Sequence, residues 1–176
     1  MKRIIITADD YGMCEDVDKA IRDCVDVGVC KSFNVITNMG QLSIDEKYLR
    51  NPNISIGLHW NVTAGKPTLP VHCVRSLCDN EGNFWTVGAF QKKMKTGEIN
   101  IQELELELRN QYTIYQETFG MPAYWNTHQN SSFSPATMRA FSSVARDLHI
   151  PCTRNFQRVY MTGMKIGGAK RNALSC

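Results

Sequence analysis

The stretch Ile4 to Gly12, IIITADDYG, constrains this chain more than any other. A β-branched apolar run ends in two adjacent carboxylates, an aromatic and a glycine, the pattern of a buried strand that delivers acids to a site at its C-terminal end. Adjacent like charges repel, so such a pair persists where a metal, a cation or a catalytic task compensates it. Taken alone, the stretch is equally compatible with a strand followed by a helix-capping Asp.

The elements that follow narrow the choice. Val17, Ala20, Ile21, Cys24 and Val25 recur at helical spacing before Gly28, and Val29 to Thr37 reads as a second strand, so the chain opens with a βαβ unit. A weaker helical stretch, Ser43 to Leu49, leads through Asn51, Pro52 and Asn53 into a third strand, Ile54 to Leu58, which ends at His59. The polar segment from His59 to about Phe84 predicts a long loop leaving the sheet. Phe84 to Gly97 is read as partly helical. The clearest helix runs from Ile101 to Phe119, with Asn100 as cap, Gly120 as stop, and Ile101, Leu104, Leu108, Tyr112, Tyr115 and Phe119 on one apolar face; Glu103 and Glu105 are read as solvated. Ala123 to Thr127 is a short strand-like piece ending at His128. Ser134 and Pro135 open a helix that turns Met138, Phe141, Ala145 and Leu148 inward, and Ile150 to Arg154 is the last expected strand.

Alternating strands and helices predict an α/β fold with a parallel sheet core, in open or barrel form. Residues 1–160 are expected to form a single domain and 161–176 an irregular tail. A chain of 176 residues suits one compact domain, and its formal charge of +3 is too small to argue for nucleic acid. No run reaches the length of a membrane span and the N-terminus lacks a signal-peptide pattern, so a cytoplasmic protein with no membrane partner is expected. Seven cysteines is an odd count. With Cys24 at an apolar helical position, this suits reduced core thiols better than a disulfide framework. His72, Cys73 and Cys78 form a weak metal-like group that reads better as loop.

The chemistry gathers at the strand ends, where parallel sheets build their sites. Asp9 and Asp10 follow the first strand, His59 the third, His128 the next and Arg154 the last. One carboxylate with two neutral imidazoles is a mononuclear metal set that leaves positions open for water and substrate. The second carboxylate would then take a proton from metal-bound water for attack on an amide or ester carbonyl, with Arg154 orienting it.

These residues resemble a family. Thr7-Ala8-Asp9-Asp10-Tyr11-Gly12, then Gly57 to Pro67 (GLHWNVTAGKP), then Thr127-His128-Gln129, are similar to motifs of the YdjC-like carbohydrate deacetylases. Asp79 with Glu81-Gly82 and Phe84, Glu107 with Gln111, Gly120 with Pro122, and Arg154 support the likeness. It implies a deformed (β/α) barrel, incomplete at this length, and removal of acetyl groups from N-acetylated chitin-derived oligosaccharides. It also implies one divalent metal ion, magnesium or zinc, on Asp10, His59 and His128, with Asp9 as base and Arg154 supporting it. Tyr11, Asn61 and Thr63, inside the same motifs, are expected to bind substrate. Two departures stand out. The family usually carries Asp where this chain has Asn126, with further histidines where it has Asn130 and Ser132. Family members also run on to a late histidine proposed as general acid, and here no histidine follows His149.

The alternative expectation is a C-terminally truncated, catalytically poor homologue that binds metal or sugar. An aspartyl-phosphate phosphotransferase is disfavoured, because its two acids generally stand two residues apart. An unfinished barrel edge would expose apolar strand, so a homo-oligomer is expected.

Overall fold

The computed structural model describes residues 4–40 and 42–151. Strands β1 (Thr7–Tyr11), β2 (Ser32–Val35), β3 (Ser55–Trp60) and β4 (Trp125–Thr127) form one parallel sheet in the order β1-β2-β3-β4. Helices α1 (Glu15–Asp26), α2 (Glu46–Leu49), α3 (Val87–Thr96) and α4 (Ile101–Phe119) connect them, and α5 (Pro135–Asp147) follows β4. Each strand lies beside its predecessor, without the reversal that defines a doubly wound sheet. Progressive winding of this kind is that of a barrel. Among the described residues the barrel is not closed. The Trp125 N–H donates to the Pro151 carbonyl at 3.1 Å, the only trace within them of the expected strand at Ile150 to Arg154.

Strand alternation separates two faces. Trp60 and Trp125 pack against each other and against Phe141 of α5, and the Trp60 indole N–H donates to the Leu108 carbonyl of α4 at 2.9 Å. Their strand neighbours, His59 and Asn126, therefore face the opposite side, which would be the barrel interior. Gly57 is required there by close approach: a Cβ would stand 2.4 Å from the Tyr124 ring, whose hydroxyl reaches across to Ser32 Oγ at 2.5 Å.

Three local expectations are corrected. Ile4, Ile5 and Ile6 precede β1 and are exposed (89%, 82% and 55%), because β2, the strand's partner, begins opposite Thr7. Cys24 is exposed, since the buried face of α1 runs through Asp18, Ile21 and Val25. Glu103 is partly covered and accepts from the Ser76 N–H at 2.7 Å. Among the described residues no helix is long and apolar enough to cross a membrane.

Helix α4 buries Leu104, Leu108, Tyr115 and Phe119 as expected, and also the polar pair Glu107 and Gln111. Glu107 accepts from Thr68 N (2.9 Å), Thr68 Oγ1 (2.8 Å), Leu69 N (3.2 Å) and Gln111 Nε2 (2.8 Å). Gln111 in turn pairs with the Asn61 backbone, accepting from its N–H at 3.1 Å and donating to its carbonyl at 2.6 Å. Together they staple the loop after β3 to the helix. Burial pushes the Glu107 carboxyl up from its ordinary value of 4.5, and the donated hydrogen bonds offset this only in part. A raised folded-state value means that its stabilising contribution is complete below pH 4.5 and is lost as pH rises through the folded value. The stability of the native chain minus that of Glu107→Gln should therefore fall across that window. Urea unfolding of both proteins over a pH series checks it, and a difference that is flat or rises would contradict it.

Candidate active site

The first motif works through a backbone irregularity. Ala8 pairs with Phe33 and Tyr11 with Val35, so three steps on β1 match two on β2. The extra residue is Asp10, whose φ of 76° lies in the left-handed region. Such a bulge re-aims side chains, and Asp tolerates the conformation better than most residues because its short polar side chain can hydrogen-bond locally. Asp9 and Asp10 are thereby both available to one site.

Asp10 meets both histidines. Its Oδ1 lies 3.0 Å from His59 Nε2 and 2.8 Å from His128 Nδ1, and the two imidazoles are edge to face with centroids 5.6 Å apart. One ligand atom from each of Asp10, His59 and His128 falls within 4.8 Å of the others, and among the described residues no other group of three does so. Both histidines are buried and Asp10 is partly covered. Burial alone would raise the Asp10 carboxyl, but hydrogen bonds and charge interaction with His128 and His59 outweigh it and hold it well below the usual carboxylate range.

Asp9 stands beside this cluster. Its Oδ1 accepts from the Asn34 amide and, at 3.2 Å, from the Asn126 amide. Asn126 Oδ1 accepts from His59 Nδ1 at 2.5 Å. Backbone register explains the last contact: His59 and Asn126 are direct partners in β3 and β4 and share a face.

The expected substrate contacts fare differently. Tyr11 is fully buried against Phe33 and Phe119, with its hydroxyl donating to the Ser43 carbonyl at 2.8 Å, so it is a core residue closed to a sugar. Asn61 is fully buried too, and its side chain organises its own loop. Its oxygen accepts from Thr63 N and Ala64 N, both at 3.1 Å, and its amide donates to Asn38 Oδ1 and the Ala64 carbonyl, both at 3.0 Å. Thr63 is buried, with its hydroxyl unpartnered among the described residues. Arg154 lies outside the described residues. His72, Cys73 and Cys78 form no metal-ligating group among them, and Cys73 and Cys78 are free thiols.

Asn34 and Asn38 were not anticipated. The available signal was a lone amide inside an apolar central strand, Ser32-Phe33-Asn34-Val35, where a fully buried polar side chain needs a partner.

A family model described as YdjC-like protein matches residues 3–174. The chain belongs to the YdjC-like family. It is 30% identical over 154 residues to a carbohydrate deacetylase of Xenopus laevis, covering 86% of this chain and 50% of the relative. It is 24% identical over 173 residues to a chitooligosaccharide deacetylase of Yersinia enterocolitica, covering 96% and 66%. A solved Enterococcus faecalis V583 protein, associated by description with cellobiose-phosphate cleavage, shares the fold with a TM-score of 0.76 at 24% identity, over 97% of this chain and 62% of that one. The chain spans about half the length of the vertebrate carbohydrate deacetylases it matches.

The left-handed backbone at Asp10 has a measurable consequence in this YdjC-like chain. Asp10→Gly and Asp10→Ala both remove the carboxylate, but only Ala keeps the strain. Asp10→Ala should be the less stable of the two by about 1 kcal/mol, the left-handed penalty less the smaller unfolded-chain entropy of Ala. Thermal unfolding of both variants measures this, and equal stabilities would speak against the bulge.

Proposed function

We propose that this chain is a metal-dependent hydrolase that removes acetyl groups from short N-acetylated sugars of the chitin-oligosaccharide kind. The observation that carries the reading is the meeting of Asp10, His59 and His128 within 4.8 Å, with a second carboxylate tied to the same network. The donor set suits one divalent ion: two imidazoles favour zinc by softness, and a carboxylate with open positions also admits magnesium. When bound, that ion would polarise the amide carbonyl and acidify a coordinated water.

The residues divide the remaining work. Asp10, His59 and His128 hold the ion. Asp9 is the general base: its Oδ1 is taken by the two amides, and its Oδ2 accepts no hydrogen bond from the described residues, leaving it to receive a proton. Arg154 is assigned to orient Asp9. Thr63, whose hydroxyl is buried and unpartnered among the described residues, is retained as a substrate contact on its place in the motif alone. The residue that would protonate the departing amine is not found among the described residues, where the last histidine, His149, is exposed at the end of α5. That observation favours a second reading, a homologue that binds metal or sugar without efficient turnover.

A cytoplasmic setting is supported by the free thiols Cys14, Cys24, Cys30, Cys73 and Cys78. The exposed Ile4, Ile5 and Ile6 at the sheet's β1 edge support self-association.

Acetate release from diacetylchitobiose, with zinc or magnesium added and metal content measured in parallel, tests the enzyme reading. Turnover should vanish on chelation, return with metal, and fall by a factor on the order of 100 or more in Asp9→Asn, with bound metal retained. Metal bound without turnover would support the second reading, and neither metal nor turnover would reject both. Size measurement in solution that returned only monomer would contradict self-association.

A further inference from the structure

An ionised carboxylate can only accept hydrogen bonds. Asp9 therefore fixes the direction of the Asn126 amide: Nδ2 donates to Asp9 at 3.2 Å, which turns Oδ1 toward His59 Nδ1 at 2.5 Å. An amide oxygen is also only an acceptor, so His59 Nδ1 must carry a proton. In the neutral ring this leaves Nε2 with a bare lone pair, 3.0 Å from Asp10 Oδ1, itself an acceptor. Two acceptors facing each other repel unless positive charge stands between them.

We propose that Asn126 is a positioning residue: its amide relays polarity from the base Asp9 to His59 and holds the His59 Nε2 lone pair toward the cation. The inference rests on the metal-hydrolase reading and deepens it by tying the base to the metal site through one side chain. A carboxylate, the residue the family usually carries here, could still accept from His59 but could not donate to Asp9; in this chain, where Asn130 and Ser132 stand in place of the family's further histidines, it would set two acceptors face to face. The amide makes both contacts at once.

The distinction gives a test with two variants. Zinc affinity of the purified chain is measured by calorimetry, the His59 tautomer by imidazole nitrogen NMR of the zinc-free and zinc-loaded protein, and kcat and KM with diacetylchitobiose. Circular dichroism confirms the fold of each variant, and a His59→Gln variant assigns the resonance among the four histidines.

In the native chain His59 should carry its proton on Nδ1. Asn126→Ala should mix the tautomers and weaken zinc binding by roughly 10- to 100-fold. Asn126→Asp should keep the Nδ1–H tautomer and zinc affinity within about threefold, yet lower kcat by about tenfold or more with little change in KM, because only the Asp9 contact is lost. An Nε2–H tautomer in the native zinc-free protein, or affinity and kcat falling in parallel in both variants, would overturn the relay. So would an unchanged kcat in Asn126→Asp. Failure of the underlying reading looks different: the native chain would itself take up no zinc and release no acetate.

Discussion

A regular strand sends consecutive side chains to opposite faces, so Asp9 and Asp10 can serve one site only because β1 is bulged between Ala8 and Tyr11. The left-handed backbone at Asp10 is the residue-level form of that constraint. It turns a repulsive pair into two carboxylates with separate partners, Asp10 against His59 and His128 and Asp9 against the amides of Asn34 and Asn126. Strain of this kind persists only where surrounding structure over-determines it, and here pairing with β2 on both sides of the bulge does so.

The rest of the site is held from behind by buried polar groups. Glu107 and Gln111 of α4 fix the loop after β3, and Asn61 closes that loop on itself and on Asn38 beyond β2. Asn38 returns the contact by donating to the Ala64 and Lys66 carbonyls at 3.1 and 2.8 Å. The aromatic layer of Trp60, Trp125 and Phe141 braces the other face of β3 and β4. His59 and Asn126 thus stand on paired strands, which is what the proposed metal ligand and its proposed supporting amide require.

What the sequence made legible, and what it did not, divides along physical lines. The α/β order, the span of α4 with its Asn100 cap, and the chain positions of Asp10, His59 and His128 could all be read, because hydrophobic periodicity and strand-end position are local properties. Tyr11 and Asn61 sat inside motifs that resemble a substrate site, yet one became core and the other a loop clasp. Whether a side chain beside a candidate site residue faces solvent depends on strand twist and loop closure, which are not local. The part of Asn34 was hidden for the same reason: it is defined by a hydrogen bond between strands, across 25 positions in sequence. Ile4 to Ile6 misled in the opposite direction, since a β-branched run forms strand only as far as a partner extends.

The proposed chemistry depends on a cation between Asp10, His59 and His128. Crystals grown with zinc and measured at its absorption edge test that most directly. The expected result is a single strong anomalous peak within bonding distance of Asp10 Oδ1, His59 Nε2 and His128 Nδ1, with Asn126 Oδ1 still on His59 Nδ1. A zinc peak on cysteine sulfur alone, with Asp10 remaining hydrogen-bonded directly to both imidazoles, would contradict it.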